Sequence, residues 1–212
     1  QDGVQVADVT SAYAVLSIMG PNSRKLLSKL TDEDLSNDHF PFGTGKEIEI
    51  GYSKALALRV TYVGELGWEL YIPSEFAQDL YDRLLEAGKE MGLKHAGMHA
   101  LNSLRLEKAY RHWGHDITDE DTPLEAGLSF AVAWDKSGGF LGREALIRKK
   151  ENGLLKKRMV QFALENPEPL LYHNEPIWCG NTIVGDTTSG MYGHSIGTVS
   201  YTHLRAHETL LY

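Results

Sequence analysis

Along the first half of the chain, the spacing of the apolar residues alternates several times between that of a strand and that of a helix. The run AYAVLSIM (12–19) predicts a buried strand, and 46–60 predicts two short strands because apolar and polar positions alternate. Over 74–92 the apolar residues recur at helical spacing, and Gly92 stands where a helix C-terminus favours glycine. A further helix is predicted over 98–110. This mixture of elements predicts an α+β fold.

The pattern changes in the second half of the chain. After a predicted helix over 142–151, short strand-like runs alternate with Pro and Gly turns, which is typical of β-barrels. We therefore predict an α+β domain over 1–150, a partial C-terminal β-barrel domain over 151–197, and a separate tail over 198–212.

The stretch TYVGELGWELYIP (61–73) combines strand alternation with two glycines and two acidic residues. Gly64 and Gly67 permit a turn or a close backbone approach between two strands. Glu65 and Glu69 lie beside apolar and aromatic residues, although glutamate is rarely buried without a partner. Either both carboxylates face water, or one of them points into a pocket and accepts N–H groups of a ligand.

Composition and charge narrow the function classes. The chain is 42% hydrophobic and 24% charged, which predicts a packed core. A net charge of −8 argues against a general nucleic-acid or anionic-membrane binder, and no run is long enough for a transmembrane helix. The single Cys179 fits a reducing compartment. The start, QDGVQVADVT, has neither an initiator Met nor signal-peptide character, so we expect the chain to begin within a longer protein.

Several residues are candidates for chemistry. His112, His115 and Asp116 lie close enough in sequence to suggest a metal, but a zinc site needs further ligands at suitable spacing, so we predict no metal site. The sequence contains no G-x-S-x-G elbow, P-loop or complete dinucleotide motif. Arg105 and Glu107 are either pocket groups or members of a structural ion pair, and we favour the ion pair.

Five motifs occur in a family-specific order: TYVGELGWELYIP, ALNSLRLEKAYRHWGHDI, TPLEAGL, FLGREAL and IVGDTTSGMYGHSIG. Over roughly residues 8–197 the chain resembles the folate-binding, aminomethyltransferase-like region shared by the glycine cleavage T-protein, dimethylglycine dehydrogenase and sarcosine dehydrogenase. The resemblance implies that domain 1–150 binds folate and that 151–197 is part of the C-terminal aminomethyltransferase barrel.

The resemblance also implies a folate site. In the family, the tyrosine and second glutamate of Y-x-G-E-x-G-x-E line the tetrahydrofolate pocket, and here they are Tyr62 and Glu69. A pterin presents an amino group and a ring N–H side by side, which one carboxylate can accept together. Phe130 stands where the T-protein carries a pocket Trp, so an aromatic wall is kept and a donor is lost.

Two departures from the T-protein favour the dehydrogenase branch. Leu101 stands where the T-protein has a folate-holding Arg. The catalytic Asp of the family lies further upstream than this chain extends, as does the FAD domain of the dehydrogenases. We therefore assign no catalytic residue, and we expect tetrahydrofolate here and FAD in a missing upstream domain of the same chain.

By resemblance, the intact enzyme oxidises an N-methyl amine at FAD and passes the one-carbon unit to tetrahydrofolate. The isolated fragment is expected to be inactive, and the enzyme to be cytoplasmic, or in the mitochondrial matrix if eukaryotic. The alternatives are a stand-alone aminomethyltransferase of the glycine cleavage type and a non-catalytic regulatory relative. We expect neither a nucleic-acid nor a membrane partner.

The tail TVSYTHLRAHETLLY (198–212) departs from the family pattern. It resembles a translated sequencing adapter fused to a truncated reading frame, so we expect these residues not to be native. His203 and His207 are then expected to have no functional role, despite a spacing that suits a helical metal site.

Overall fold

Two antiparallel sheets and four α-helices form the fold in a computed structural model that describes residues 3–153, 155 and 157–206, with 203–206 as backbone only. The chain divides into two units, Gln1–Gly97 and Met98–Tyr212. This combination of helices and antiparallel sheets confirms the predicted α+β class.

The first unit contains a four-stranded sheet in the order β1-β4-β3-β2. Its strands are β1 (Tyr13–Met19), β2 (Gly45–Ile50), β3 (Ser53–Leu58) and β4 (Gly67–Pro73). All neighbouring strands are antiparallel. The strand predicted over 12–19 and the two strands predicted over 46–60 are thereby confirmed. The apolar run of 12–19 predicts a buried strand, and this is wrong: β1 lies at the edge of the sheet, and its Tyr13 and Val15 are each 47% exposed.

One face of this sheet carries the core of the first unit. Helices α1 (Ser23–Leu27) and α2 (Ala77–Gly88) contribute buried leucines to the same cluster as Trp68, Leu70 and Ile72 of β4. The helix predicted over 74–92 begins and ends with 3-10 turns rather than continuous α-helix, and Gly92 closes it with φ +73°, as a C-terminal glycine should. The other face of β4 is only partly covered.

The second unit contains helices α3 (Met98–Glu107) and α4 (Arg143–Glu151) and a second sheet. The sheet order is β5-β8-β7-β6, from strands β5 (Lys157–Ala163), β6 (Pro176–Cys179), β7 (Thr182–Gly193) and β8 (Thr198–Ala206). Whereas the sequence predicts a boundary near residue 150, at the end of α4, the compact units separate at residue 97. The predicted division into 1–150, 151–197 and 198–212 stays a prediction, because the two compact units do not correspond to those ranges.

Strand β8 covers much of the tail that we predict to be foreign. It lies between β5 and β7, and its residues Val199, Ser200 and Thr202 are buried. The side chain of His203, and His207 as a whole, lie outside the described residues. The origin of the tail stays a prediction.

Candidate functional site

The glycines of TYVGELGWELYIP shape the chain in two different ways. Gly64, in the connection between β3 and β4, has φ +73°, which an L-residue adopts only with strain. Gly67 has no positive φ but allows close approach, because a Cβ there would lie 2.8 Å from Met19 Cγ and 3.1 Å from the Ile18 carbonyl oxygen. One glycine therefore permits the turn and the other brings β4 against β1.

The two glutamates of this stretch have different surroundings. Glu65 lies in the connection and is exposed, whereas Glu69 lies within β4 and is half-buried. Trp68 and Leu70, on either side of Glu69, are fully buried in the core, so strand alternation directs Glu69 to the opposite face of the sheet. Glu65 thus faces water, and Glu69 is the carboxylate that can meet a ligand.

Tyr71 is hydrogen-bonded to Glu69. Its hydroxyl donates to Glu69 Oε2 over 3.0 Å, since residues two apart in a strand share one face. That hydrogen bond raises the pKa of Tyr71, with burial and the charge of Glu69 acting in the same direction. Among the described residues no other donor reaches the Glu69 carboxylate, so Oε1 keeps its capacity to accept.

The surroundings of this carboxylate are largely apolar. Val15 and Leu56 lie beside Tyr71 on the neighbouring strands, and Ser17 and Leu58 lie beside Glu69. Val15 is 47% exposed and Leu56 is 42% exposed, so both present apolar surface. A charged acceptor within an apolar, aromatic surface suits a flat heterocycle that carries N–H donors.

The three sequence-predicted folate residues do not all lie in one unit. Tyr62 and Glu69 belong to the first unit, where Tyr62 is half-buried in the connection before β4. Phe130 belongs to the second unit, in the 3-10 turn Ser129–Ala131, and is 83% exposed. Their common role in holding folate stays a prediction. Tyr71 was missed, although the alternation in WELYIP places it on the same face as Glu69.

A second carboxylate, Asp116, lies at the centre of a buried polar cluster in the second unit. Its Oδ2 accepts from Arg105 Nη1 at 2.6 Å and from the His112 amide at 2.8 Å. Its Oδ1 accepts from the hydroxyls of Ser189 at 2.6 Å and Thr188 at 2.7 Å. Thr202 adds a longer contact of 3.1 Å. Asp116 is therefore saturated by protein donors.

This cluster confirms the structural ion pair predicted for Arg105. The side chains of Arg105 and Asp116 are 3% and 0% exposed, and Arg105 Nη2 also donates to Ser189 Oγ at 2.8 Å. Burial would raise the pKa of Asp116, but the hydrogen bonds from Ser189 and His112 and the charge of Arg105 outweigh it and lower that pKa. For Glu107 the predicted ion pair is not found among the described residues; its Oε1 accepts from the Ser195 N–H at 2.8 Å.

Three histidines lie close together near Asp116, and two of them, His115 and His173, are stacked. His115 lies against His173 with ring centroids 4.3 Å apart, and His112 lies 5.5 Å from His115. Burial and then the charge of His173 lower the pKa of His115. Within the described residues no group of three or more His, Cys, Asp or Glu side chains is arranged to hold a metal ion.

Known proteins with similar sequences and structures identify the family. The model of the GCVT N-terminal domain matches residues 1–136, and that of the glycine cleavage T-protein C-terminal barrel domain matches residues 157–200. A crystal structure of glycine cleavage system aminomethyltransferase T from Bartonella henselae aligns with a TM-score of 0.77 and 25% identity. The alignment covers 92% of this chain and 52% of that chain.

Two curated relatives are longer proteins. The 4-methylaminobutanoate oxidase (formaldehyde-forming) of Paenarthrobacter nicotinovorans is 47% identical over 91% of this chain and 23% of its own length. The mitochondrial dimethylglycine dehydrogenase of Homo sapiens is 43% identical over 91% of this chain and 22% of its own length. The chain thus spans less than a quarter of either relative. None of the helices in the described part of the chain has the length and apolar character needed to cross a membrane.

These matches cover both halves of the chain and confirm the resemblance inferred from the motifs. The chain belongs to the glycine cleavage T-protein family, and its relatives include the dimethylglycine dehydrogenases.

Proposed function

We propose that this chain is the tetrahydrofolate-binding portion of a dimethylglycine or sarcosine dehydrogenase-like enzyme. The enzyme passes a one-carbon unit from an N-methyl amine to tetrahydrofolate. The observation that carries the proposal is Glu69, a half-buried carboxylate whose Oε1 meets no protein donor among the described residues. Its position in Y-x-G-E-x-G-x-E matches the family's folate-binding glutamate.

The residues around Glu69 fit a reduced pterin. Oε1 can accept an N–H of the ring system, and the apolar side chains of Val15 and Leu56 on the neighbouring strands can contact its flat surface. Tyr62 lies in the connection that leads into the same strand. We propose Phe130 as a further aromatic contact for folate, on the strength of its place after TPLEAGL.

The oxidation step lies outside this chain in our proposal. Bound FAD would accept the electrons of the amine, and we place it with the catalytic Asp in an upstream part of the protein, because this sequence has no complete dinucleotide motif. The role of this segment is to bind and orient folate, so we expect the segment alone to be inactive. We propose a mitochondrial matrix location if the source is eukaryotic and a cytoplasmic one if it is bacterial.

The test is a direct titration of the intact protein with tetrahydrofolate. Glu69→Ala is expected to weaken binding by roughly 2–3 kcal/mol, about 30-fold to 140-fold in Kd, because pterin donors would be left unpaired in the bound state. Glu65→Ala is the matched control, since it removes an exposed carboxylate from the same motif and should leave Kd unchanged. Equal affinity of the Glu69→Ala variant and the unsubstituted protein would refute the proposal.

The same titration separates this proposal from the regulatory alternative. A non-catalytic relative that keeps the fold only as an interaction module has no need for a folate-binding Glu69. Measurable tetrahydrofolate binding that depends on Glu69 therefore favours an enzyme, whereas absence of binding by the unsubstituted protein favours the regulatory relative.

A further inference from the structure

The contact between Tyr71 and Glu69 has no evident role in the core of the first unit. Both side chains lie on the face of β4 opposite Trp68 and Leu70, and the hydroxyl of Tyr71 donates to Glu69 Oε2 over 3.0 Å. A half-buried glutamate without a fixed neighbour would populate several rotamers, because its side chain has three rotatable bonds. The hydrogen bond restricts that freedom.

The neighbouring strands constrain the ring of Tyr71. In the sheet register Val15 of β1 lies on one side of Tyr71 and Leu56 of β3 lies on the other. Side chains in such cross-strand rows lie next to one another, so the tyrosine ring lies between two apolar neighbours. Its hydroxyl reaches along the strand to Glu69, where it donates to Oε2.

We propose that Tyr71 is a positioning residue for folate binding: it occupies Oε2 of Glu69 and thereby turns Oε1 toward the ligand. This inference rests on the proposed function, because it assumes that Oε1 of Glu69 accepts a pterin N–H.

Glu69 and Tyr71 are expected to contribute to folate binding in different ways. Glu69 would contact folate directly, whereas Tyr71 would act only through Glu69. Loss of the Tyr71 hydroxyl should then weaken folate binding when Glu69 is present and have no effect when Glu69 is absent. A residue with a merely structural role would weaken binding equally in both backgrounds, which makes a double-mutant cycle decisive.

The experiment uses the intact protein, with tetrahydrofolate as the titrant under anaerobic conditions. Four proteins form the cycle: the unsubstituted protein, Tyr71→Phe, Glu69→Ala and the double variant. We expect Tyr71→Phe to raise Kd about fivefold to tenfold, and to raise it less than twofold when Glu69 is already alanine. Tyr13→Phe is the matched control, because Tyr13 is a β1 tyrosine that is 47% exposed, and its Kd should not change.

The outcomes distinguish the two proposals. If Glu69→Ala itself leaves Kd unchanged, both the proposed function and the role of Tyr71 are refuted. If Glu69→Ala weakens binding but Tyr71→Phe does not, or does so equally in both backgrounds, the positioning role is refuted and the proposed function stands. Thermal unfolding of each variant, with midpoints close to that of the unsubstituted protein, ensures that changes in Kd do not reflect misfolding.

Discussion

Glu69 and Asp116 are two carboxylates, one in each unit, and their surroundings differ sharply. Glu69 is half-buried, and Tyr71 is its one protein donor among the described residues. Asp116 is 1% exposed and accepts from an arginine, an amide and three hydroxyls. Both would attract notice as possible site residues on chemistry alone.

The difference in hydrogen bonding indicates different roles. A buried carboxylate whose lone pairs are all engaged by protein donors stabilises the fold and has little capacity left for a ligand. A carboxylate with an open oxygen beside exposed apolar surface keeps that capacity. Counting the donors around each acceptor therefore assigns a structural role to Asp116 and leaves Glu69 with capacity for a ligand.

Of the substitutions that test this difference between Glu69 and Asp116, Asp116→Ala should have the largest effect on stability. The substitution leaves Arg105 buried without its counter-charge, and we expect the free energy of unfolding to fall by about 3–5 kcal/mol. Chemical denaturation of the intact protein measures it. Asp119→Ala, at an exposed position in the same loop region, is the control and should change stability by no more than about 0.5 kcal/mol. A loss no greater than that of the control would contradict a structural role for Asp116.

Glu69→Ala should behave in the opposite way in the same denaturation assay. Because Glu69 lies on the partly covered face, its loss is expected to change the free energy of unfolding by less than about 1 kcal/mol while weakening folate binding as described above. The comparison would fail if Glu69→Ala destabilised the protein as strongly as Asp116→Ala.

Gly67→Ala should have an intermediate effect, because it alters the sheet that carries Glu69. The added methyl would lie 2.8 Å from Met19 Cγ and within 3.1–3.3 Å of the carbonyl oxygens of Ile18 and Val60, so β1 and β4 must separate slightly. We expect a loss of about 1–3 kcal/mol in stability. Gly92→Ala is a useful reference: its Cβ meets no neighbour, so it reports only the strain of a positive φ. A Gly67→Ala variant as stable as the unsubstituted protein would show that close approach at Gly67 is unimportant.

The smallest expected effect is a pH dependence of stability that comes from His115, which lies beside the Asp116 cluster. The pKa of His115 is lowered in the folded protein, first by burial and then by His173. The nearby Asp116 opposes that shift, while His112 and Arg105 add to it. An unfolded chain therefore binds a proton more readily, so stability should decline as pH falls below the usual histidine pKa of about 6.5.

Unfolding midpoints at about pH 7.5 and about pH 5.5 measure this dependence. His115→Gln should reduce the difference between the two midpoints. His99→Gln should leave it as in the unsubstituted protein, because His99 has no hydrogen bond, ion pair or ring contact among the described residues, whereas His115 stacks on His173. An identical difference in all three proteins would show that the His115 stack does not titrate with folding.

Local patterns in the sequence were sufficient for much of the fold and for part of the site. An apolar run placed β1, strand alternation placed β2 to β4, and helical spacing placed the helix that Gly92 ends. Alternation in WELYIP also fixes Glu69 and Tyr71 on one face, because side chains of a strand point alternately to its two sides. The motif order indicated the family that the matches confirm.

Only the tertiary structure decided which carboxylate is satisfied and which is open. Asp116 meets Arg105 of α3, which is 11 residues away, but also Ser189 of β7, which is 73 residues away, and nothing in the local pattern reveals that second partner. Likewise, Val15 and Leu56 come to lie beside Tyr71 through strand pairing. The periodicity of a segment reports which way its side chains point, because backbone geometry is local. The donors that those side chains meet depend on how distant segments pack.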